Sequence, residues 1–290
     1  MRRSIRTRAA DGVIVAVVFI AVLVCILPIM HVVAVSFSSR DAVLAGRVSL
    51  WPIQPTIDTY RAVIRDASMI RALVLTIFLT VGYTAIAMVI SVAGAYALTK
   101  KRLKGRNTVL FVLIFTLYFN GGLIPTYLLI KGLGMINTLW ALLIPGSLSI
   151  FNLLILKTFF ATIPESLEES ARIEGANEIQ ILVKIILPLS GPALATISLF
   201  YAVGRWNGLQ DALFYITNPR LYPLQLKLYQ IVQNSRSLDI QAAETTGGGN
   251  QLSESIKAAS IVFATVPIVL VYPFLQRYFI KGVMLGSIKG

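Results

Sequence analysis

Cysteine, histidine and charged residues are scarce in this sequence of 290 residues. There is one cysteine, Cys25, and one histidine, His31, and charged residues make up only 13% of the chain. A single cysteine excludes an intrachain disulfide, and one cysteine with one histidine excludes metal sites built from clusters of these residues. A soluble domain carries about a quarter charged residues, so the composition argues against a soluble protein.

Acidic residues are scarcer than basic ones, with 13 against 26, which gives a formal net charge of +13. Much of the positive charge lies in two clusters that flank apolar runs, RRSIRTR at Arg2–Arg8 and KKRLKGR at Lys100–Arg106. Basic clusters at the ends of spans mark the cytoplasmic side of a membrane protein. We therefore interpret the charge as anchoring in the membrane lipid and expect no nucleic-acid partner.

Apolar residues, in contrast, make up 56% of the chain and raise its mean hydropathy to +0.77. A helix of about 20 apolar residues crosses a bilayer, and six such runs predict an all-α membrane protein with six transmembrane helices. With the basic N-terminus inside, both termini are predicted to be cytoplasmic. The runs are Val13–Val35, Ala72–Leu98, Thr108–Ile130, Leu139–Phe160, Gly191–Ile216 and Ala258–Ile280.

The chain is expected to divide into two regions. Residues 1–71 contain the basic segment, the first span and an external loop, and residues 72–290 contain the other spans. Because successive connections between spans lie on opposite sides of the membrane, the polar loop Thr217–Lys257 is predicted to lie outside. Three consecutive glycines, Gly247–Gly249, lie in this loop, and a helix tolerates them poorly because glycine loses most freedom on ordering. The segment Thr245–Gln251 is therefore predicted to be a mobile tip.

Five of the 13 acidic residues lie between Glu165 and Glu178. Pro164 suits the first turn of a helix, and Gly175 suits a left-handed position at the end of that helix. A second helix is predicted to end at Pro188, and its apolar face consists of Ile179, Leu182, Val183 and Ile186. The segment 164–188 is interpreted either as two short helices that offer their outer surface to a soluble partner, or as an ordinary amphipathic loop.

The spacing within this segment resembles the EAA motif of ABC importer permeases, which reads E-A-A, three residues, glycine, nine residues, I-x-L-P. Every spacing matches, and the one departure is a serine for the middle alanine. The matching residues are Glu169, Ser170, Ala171, Gly175, Ile185, Leu187 and Pro188. Further stretches, among them WNGLQDALFYI and QRYFIKGVMLGSIKG, resemble the carbohydrate-uptake branch, the relatives of the second maltose permease subunit. Within it, permeases for acidic oligosaccharides such as alginate or pectin fragments are the most similar.

The resemblance implies a type I ABC importer permease fold in a bacterial inner membrane, with cytoplasmic coupling helices. Glu169, Ala171 and Gly175 would contact an ATPase, and a bulky residue at Gly175 would force a side chain into the turn. The chain lacks the pattern G-x-x-x-x-G-K-[ST], so we expect it to be non-catalytic and to bind no cofactor. ATP and Mg are then expected on two separate ATPase subunits.

The resemblance also implies two further partners. One is a homologous second permease subunit, so that the oligosaccharide crosses between two permeases. The other is an extracytoplasmic solute-binding protein that meets the loop before the last span. The residues expected to contact it are Thr245, Thr246, Gly247, Gly248, Gly249, Asn250 and Gln251.

Polar residues inside spans predict the substrate path, because burying them against lipid is costly. Asn120 and Gly121 interrupt the third predicted span, as in a locally unwound helix, and Arg205, Trp206 and Asn207 lie together in the fifth. Trp206 is expected to stack on a sugar ring while Asn207 bonds to its hydroxyls. The alternative is helix packing through the motif Gly204-x-x-x-Gly208.

Arg205 is interpreted as a cation that binds a carboxylated substrate through two parallel hydrogen bonds. Two alternatives stay open, namely pairing with Asp211 and extension of the side chain to lipid headgroups.

Two other classes of protein fit less well. An ion-coupled secondary transporter predicts inverted repeats or embedded carboxylates, and Asp211 is the only acid placed in a span. A membrane enzyme needs paired carboxylates, a histidine base or a metal site. The sequence therefore predicts an ABC permease for an acidic, uronate-type oligosaccharide, with a neutral oligosaccharide as the alternative.

Overall fold

The structure is a computed structural model that describes residues 5–244 and 254–287. The described residues form helices and loops without a β-strand. In chain order the helices are α1 (Ile5–Phe37), α2 (Arg40–Leu44), α3 (Asp58–Arg65), α4 (Ala67–Thr99), α5 (Arg106–Tyr118), α6 (Leu123–Gly132), α7 (Trp140–Leu143), α8 (Ile150–Phe160), α9 (Glu165–Ile173), α10 (Glu178–Leu189), α11 (Gly191–Trp206), α12 (Gln210–Tyr215), α13 (Leu224–Glu244) and α14 (Glu254–Ser287).

Up to six spans are present in the described residues, as the sequence predicts. Three helices are long and apolar enough to cross a membrane alone, and three bent pairs meet the same criterion together. The pairs are α5 with α6, bent by 115°, α8 with α9, bent by 73°, and α10 with α11, bent by 86°. Between Val13 and Leu27, α1 is exposed on all sides, which is the surface of a helix surrounded by lipid.

Three of the predicted spans are interrupted rather than continuous. The third breaks between Tyr118 and Leu123, around the predicted interruption. The fourth was predicted as one helix over Leu139–Phe160, which is wrong because a turn separates α7 from α8. In that turn Pro145 lacks a backbone donor, and Gly146 adopts a φ of +73°. The fifth predicted span, Gly191–Ile216, is likewise divided, because α11 ends at Trp206.

The chain forms two compact units, each built from separate stretches of sequence. One unit comprises Met1–Ile70 and Lys227–Val266, and the other comprises Arg71–Leu226 and Pro267–Gly290. In the first unit one cluster of buried apolar residues joins α1, α2, the following loop and α14: Ala34, Val35, Ala42, Val43, Val48 and Ala258.

The second unit has its core where α4, α8, α10 and α11 meet. Small residues allow α4 to approach α8 closely, since a Cβ added to Gly94 would lie 2.9 Å from a methyl carbon of Leu153. A buried hydrogen bond of 2.6 Å joins the Ser91 and Tyr201 hydroxyls and ties α4 to α11. This core holds both the charged segment and the polar cavity described next.

Candidate functional site

The charged segment begins with α9, which ends in the geometry that its sequence predicts. Gly175 follows the helix with a φ of +84°. Its N–H donates to the Arg172 carbonyl at 3.0 Å, and the Ala176 N–H donates to the Ala171 carbonyl at 2.9 Å. These two bonds form a Schellman motif, so the left-handed glycine is confirmed. Pro164 lies one residue earlier than predicted, at the N-cap position rather than in the first turn.

The predicted reason why a side chain at Gly175 is unfavourable is wrong. A Cβ added there would meet no atom within 4 Å, so a bulky residue is not forced into the turn. The cost arises instead from the positive φ, which brings the Cβ of an L-residue close to the backbone carbonyl.

The second helix, α10, contains a π-helical segment that shifts its apolar face. Asn177 begins the helix with a capping box, in which it exchanges hydrogen bonds of 2.8 and 2.9 Å with Gln180. The segment Leu182–Ile186 is π-helical, and the buried residues Ile181 and Ile186 are therefore five positions apart. The predicted apolar face is wrong, because its members Ile179 and Val183 are 73% and 53% exposed.

Pro188 does not end the second helix, in contrast to the prediction. The helix continues to Leu189, and the chain turns at Ser190 before α11. Pro188 lies in the short α-helical segment Leu187–Leu189, which follows the π-helical stretch and closes the helix. The change of direction therefore lies two residues beyond the proline.

The acidic residues of the segment pair with the basic loop that follows α4. Lys101 bonds to Glu165 at 2.8 Å, and this hydrogen bond together with the lysine charge lowers the pKa of Glu165 below its ordinary value. The pair between Lys100 and Glu168 is largely buried. Further pairs join Arg102 to Glu178 and Arg172 to Glu168 and Glu178. The basic loop is thus more than a membrane anchor, because it holds α9 and α10 in place.

Two glutamates of the segment are left outside this network. Within the described part of the chain, Glu169 and Glu174 have no ion pair and are exposed. The apolar side chains of Ile173 and Ile179 are exposed nearby in sequence, at 88% and 73%. The segment therefore presents both unpaired carboxylates and exposed apolar side chains to its surroundings.

The motif residues divide into an exposed and a packed group. Ala171 and Ile185 pack on the core of the second unit, and Leu187 is half-buried. The exposed members are Glu169, Ser170, Gly175 and Pro188. The motif therefore combines residues that fix the segment to the spans with residues that remain open to a partner.

A cavity of about 710 Å³ lies in the second unit beside the break between α11 and α12. Aromatic rings, amides and one pair of opposite charges line it, and such a lining offers a ligand both stacking surfaces and hydrogen-bonding groups. The principal lining residues are Tyr83, Asn152, Phe200, Tyr201, Arg205, Asn207, Gln210, Asp211, Phe214 and Tyr215.

Arg205 is buried at the wall of this cavity and paired with Asp211. Its guanidinium donates two hydrogen bonds to the Asp211 carboxylate, one of them at 3.1 Å, and a third to the Leu142 carbonyl at 3.0 Å. The break after Trp206 brings Asp211 within reach. Gly208 is required here, because an added Cβ would lie 2.5 Å from a guanidinium nitrogen. The pairing that the sequence left open is therefore present, and the side chain does not extend to headgroups.

The other predicted path residues do not all meet at this cavity. Asn207 lines it and donates from its amide to the Val203 carbonyl at 3.0 Å. Trp206 lines a separate, almost wholly apolar pocket with Val203 and Pro267. Asn120 and Gly121 are exposed and lie outside both linings, and the Asn120 side chain accepts the Gly122 N–H at 2.9 Å.

The predicted contact surface of Gly204-x-x-x-Gly208 is absent from the described residues. A Cβ at Gly204 would meet nothing within 4 Å, and Gly208 faces the side chain of Arg205 rather than another helix.

Sequence reasoning missed several cavity residues. The Tyr83 hydroxyl donates to the Gly146 carbonyl at 2.5 Å, and the Tyr201 hydroxyl accepts the Ser149 N–H at 3.1 Å. Asn152 is buried in α8, and its amide inside an apolar run is a signal that would have found it. The tyrosines gave no such signal, because a tyrosine inside an apolar run is equally compatible with packing.

The residues expected to contact a binding protein, Thr245–Gln251, lie outside the described residues. The segment Thr217–Lys257 was predicted to be a loop, which is wrong for most of its length, because α13 (Leu224–Glu244) and the first residues of α14 lie in it. Asn137, which has a φ of +60°, fixes the start of this segment. The Asn137 side-chain oxygen accepts the Thr217 N–H at 2.6 Å and the Asn218 N–H at 3.0 Å. The Asn137 backbone N–H donates to the Tyr215 carbonyl at 2.9 Å. One asparagine thus fixes the point where the chain leaves α12.

Comparison with known proteins gives a consistent result. The chain is 42% identical to the polygalacturonan/rhamnogalacturonan transport system permease protein YtcP of Bacillus subtilis over 285 residues, which are 98% of this chain and 100% of that protein. It is also 42% identical to the protein LplC of Bacillus subtilis over 267 residues, which are 92% of this chain and 90% of that protein.

A solved structure agrees with these relatives. A chain in the crystal structure of a bacterial ABC transporter involved in the import of the acidic polysaccharide alginate matches with a TM-score of 0.88 and 33% identity. The match covers 96% of this chain and 99% of that chain. Residues 1–285 also match the family described as binding-protein-dependent transport system inner membrane component. With its broken spans and its EAA segment, the chain belongs to this family of inner-membrane permeases.

Proposed function

We propose that this chain is the permease subunit of an ATP-driven importer that takes up an acidic oligosaccharide delivered by a solute-binding protein. The segment 164–188 carries this proposal. It has the full spacing of the EAA motif, its glycine is left-handed, and Glu169 is exposed without an ion pair among the described residues. A segment held by ion pairs to the spans and open on its outer side is suited to transmitting force from an ATPase.

The acidic nature of the substrate is supported by the relatives rather than by a free charge in the cavity. One relative is named for polygalacturonan and rhamnogalacturonan, and the solved transporter imports an acidic polysaccharide. We infer that carboxylated sugars pass the cavity beside Arg205, with aromatic rings such as Tyr83 and Phe214 offering stacking surfaces. Trp206 faces a different pocket, so a stacking role is better assigned to these rings.

A neutral oligosaccharide is the second candidate, and one observation favours it. The only charged residues that line the described cavity are Arg205 and Asp211, and they neutralise each other. Uptake by the intact importer of a uronate oligomer and of a neutral oligomer of equal length distinguishes the two. Preferred uptake of the uronate supports the first candidate, and preferred uptake of the neutral sugar supports the second.

Coupling to separate subunits is tested by reconstitution. We infer that two ATPase subunits contact this chain from the cytoplasm, that a homologous permease completes the pathway, and that both termini are cytoplasmic. ATP hydrolysis stimulated by the loaded binding protein is expected in the complete complex and not with this chain alone. ATP hydrolysis by the purified chain alone would contradict the assignment as a non-catalytic subunit.

The segment Thr217–Lys257, which contains α13, is proposed to contact the binding protein through Thr245–Gln251. Deletion of Gly247–Gly249 is expected to weaken stimulation by the loaded binding protein while basal ATP hydrolysis is unchanged, because the tip then no longer reaches the sugar cleft. The measurement is the ATPase rate as a function of binding-protein concentration. If stimulation is untouched by the deletion, the loop is merely a connector.

Asn137 is proposed as a positioning residue for the same segment, which it holds at Thr217 and Asn218. Asn137→Ala removes the acceptor of two backbone N–H groups, each of which contributes about 0.5–1.5 kcal/mol, and places alanine at a positive φ. We expect the concentration of binding protein needed for half-maximal stimulation to rise about tenfold, with unchanged basal hydrolysis. Asn137→Asp keeps the acceptor and tolerates the backbone conformation, and it should restore most of the response. Equal behaviour of both variants would remove Asn137 from this role.

A further inference from the structure

A second cleft, of about 430 Å³, lies in the second unit between the basic loop, the end of α8 and the helix α9. Its charge is unbalanced. Six cationic side chains line it against three carboxylates. Four of the cations, at positions 100, 101, 102 and 172, are held in the ion pairs described above. The remaining two are Arg106 and Lys157.

Arg106 and Lys157 lack a counter-charge in the described part of the chain. Neither forms an ion pair there, and the Nε atom of Arg106 is buried without a hydrogen-bond acceptor. A buried donor left without an acceptor costs about 1–3 kcal/mol, and more when it is charged. The one unpaired carboxylate in the lining is Glu169, which is exposed. With Glu178, which pairs with Arg102 and Arg172 from outside the lining, six cations face four carboxylates, so two positive charges remain uncompensated and suit a bound anion.

The position of the cleft indicates where such an anion comes from. The span α4 ends at Thr99 and α8 ends at Phe160, and both ends border the cleft. The wall also contains the apolar side chains of Phe160 and Ile163. Basic residues mixed with apolar ones at the ends of spans lie at the level of the lipid headgroups, and basic pockets between spans bind anionic headgroups.

We propose that this cleft binds the phosphate of an anionic phospholipid headgroup beside the coupling segment. The phosphodiester carries one negative charge and several acceptor oxygens. The Arg106 guanidinium donates paired hydrogen bonds to it, and the Lys157 ammonium adds a point charge. Glu165 and Glu168 of α9 line the same cleft, so a bound headgroup lies directly against the helix that is proposed to contact the ATPase.

The test measures lipid retained by the purified importer complex, using native mass spectrometry in detergent with phosphatidylglycerol or phosphatidylcholine. Arg106→Gln and Lys157→Gln are each expected to reduce retained phosphatidylglycerol about fivefold. Retained phosphatidylcholine should fall much less, because its choline cation offsets the charge of the same phosphate. Lys104→Gln is the matched control, since Lys104 is an exposed cation of the same loop that does not line the cleft. Arg106→Lys keeps the charge and should recover part of the loss.

Inorganic phosphate distinguishes a lipid from a soluble ligand of the same chemistry. Phosphate binding that depends on Arg106 and Lys157, with phosphatidylglycerol retention that does not, would assign the cleft to free phosphate and overturn the lipid source. Equal loss in the Lys104→Gln control would reduce the effect to general surface charge. Loss of the ATPase subunits from the Lys157→Gln complex, with lipid retention unchanged, would assign the cleft to the subunit contact. Each of the last two results overturns the proposal.

Discussion

Replacing Gly175 by valine is expected to abolish most ATP-driven uptake while the protein remains in the membrane. Gly175 has a φ of +84°, and a residue held in such a conformation costs about 1–3 kcal/mol, with β-branched residues at the high end. That cost falls on the turn between α9 and α10. It reduces the population of the coupled arrangement about 5- to 150-fold, because 1.4 kcal/mol corresponds to a factor of ten.

The controls separate the backbone from the side chain. Gly175→Asn tolerates the left-handed conformation and should retain much of the uptake, although it adds a side chain of about the same size as valine. Gly175→Trp is expected to fail, because it combines the strained backbone with a large exposed group on the contact surface. Uptake of the labelled oligosaccharide and the amount of membrane-inserted protein are measured together. Normal uptake by Gly175→Trp would overturn the coupling assignment.

Arg205→Gln is expected to have the second large effect, a loss of uptake for every substrate. The Arg205 side chain is 5% exposed, and the side chain of its partner Asp211 is 28% exposed. Removing one member of a buried pair leaves the other charge uncompensated and costs about 3–5 kcal/mol. The substitution also frees the Leu142 carbonyl at the end of α7. We therefore expect a lower midpoint of thermal unfolding and a smaller amount of assembled complex.

The double variant Arg205→Gln with Asp211→Asn separates stability from substrate recognition. With neither charge left, most of the stability should return, because the uncompensated carboxylate is gone. If Arg205 serves the passage of an acidic sugar, the double variant recovers uptake of a neutral oligomer and not of a uronate oligomer. Equal recovery of both substrates would show that the pair is structural and would remove Arg205 from the substrate path.

Local patterns determined much of this protein. The six spans follow from runs of apolar residues, because a segment that crosses the hydrocarbon must be long and apolar, and both properties can be read from its own sequence. Gly175 was predicted to be left-handed because a glycine that directly follows a helix is recognised from the neighbouring residues alone. The pairing of Arg205 with Asp211 was left open, because six residues along a continuous helix do not bring the two side chains together.

Only the tertiary structure decided where the charges meet and where the spans break. Lys100 and Glu168 are 68 residues apart and Tyr96 and Glu178 are 82 apart, and no local pattern relates such pairs. The π-helical segment Leu182–Ile186 overrode the period of 3.6, because burial of Ile181 and Ile186 against the core outweighed helical regularity. The breaks in the fourth and fifth spans likewise followed from packing around a polar cavity, where backbone freed from a helix finds partners inside the protein.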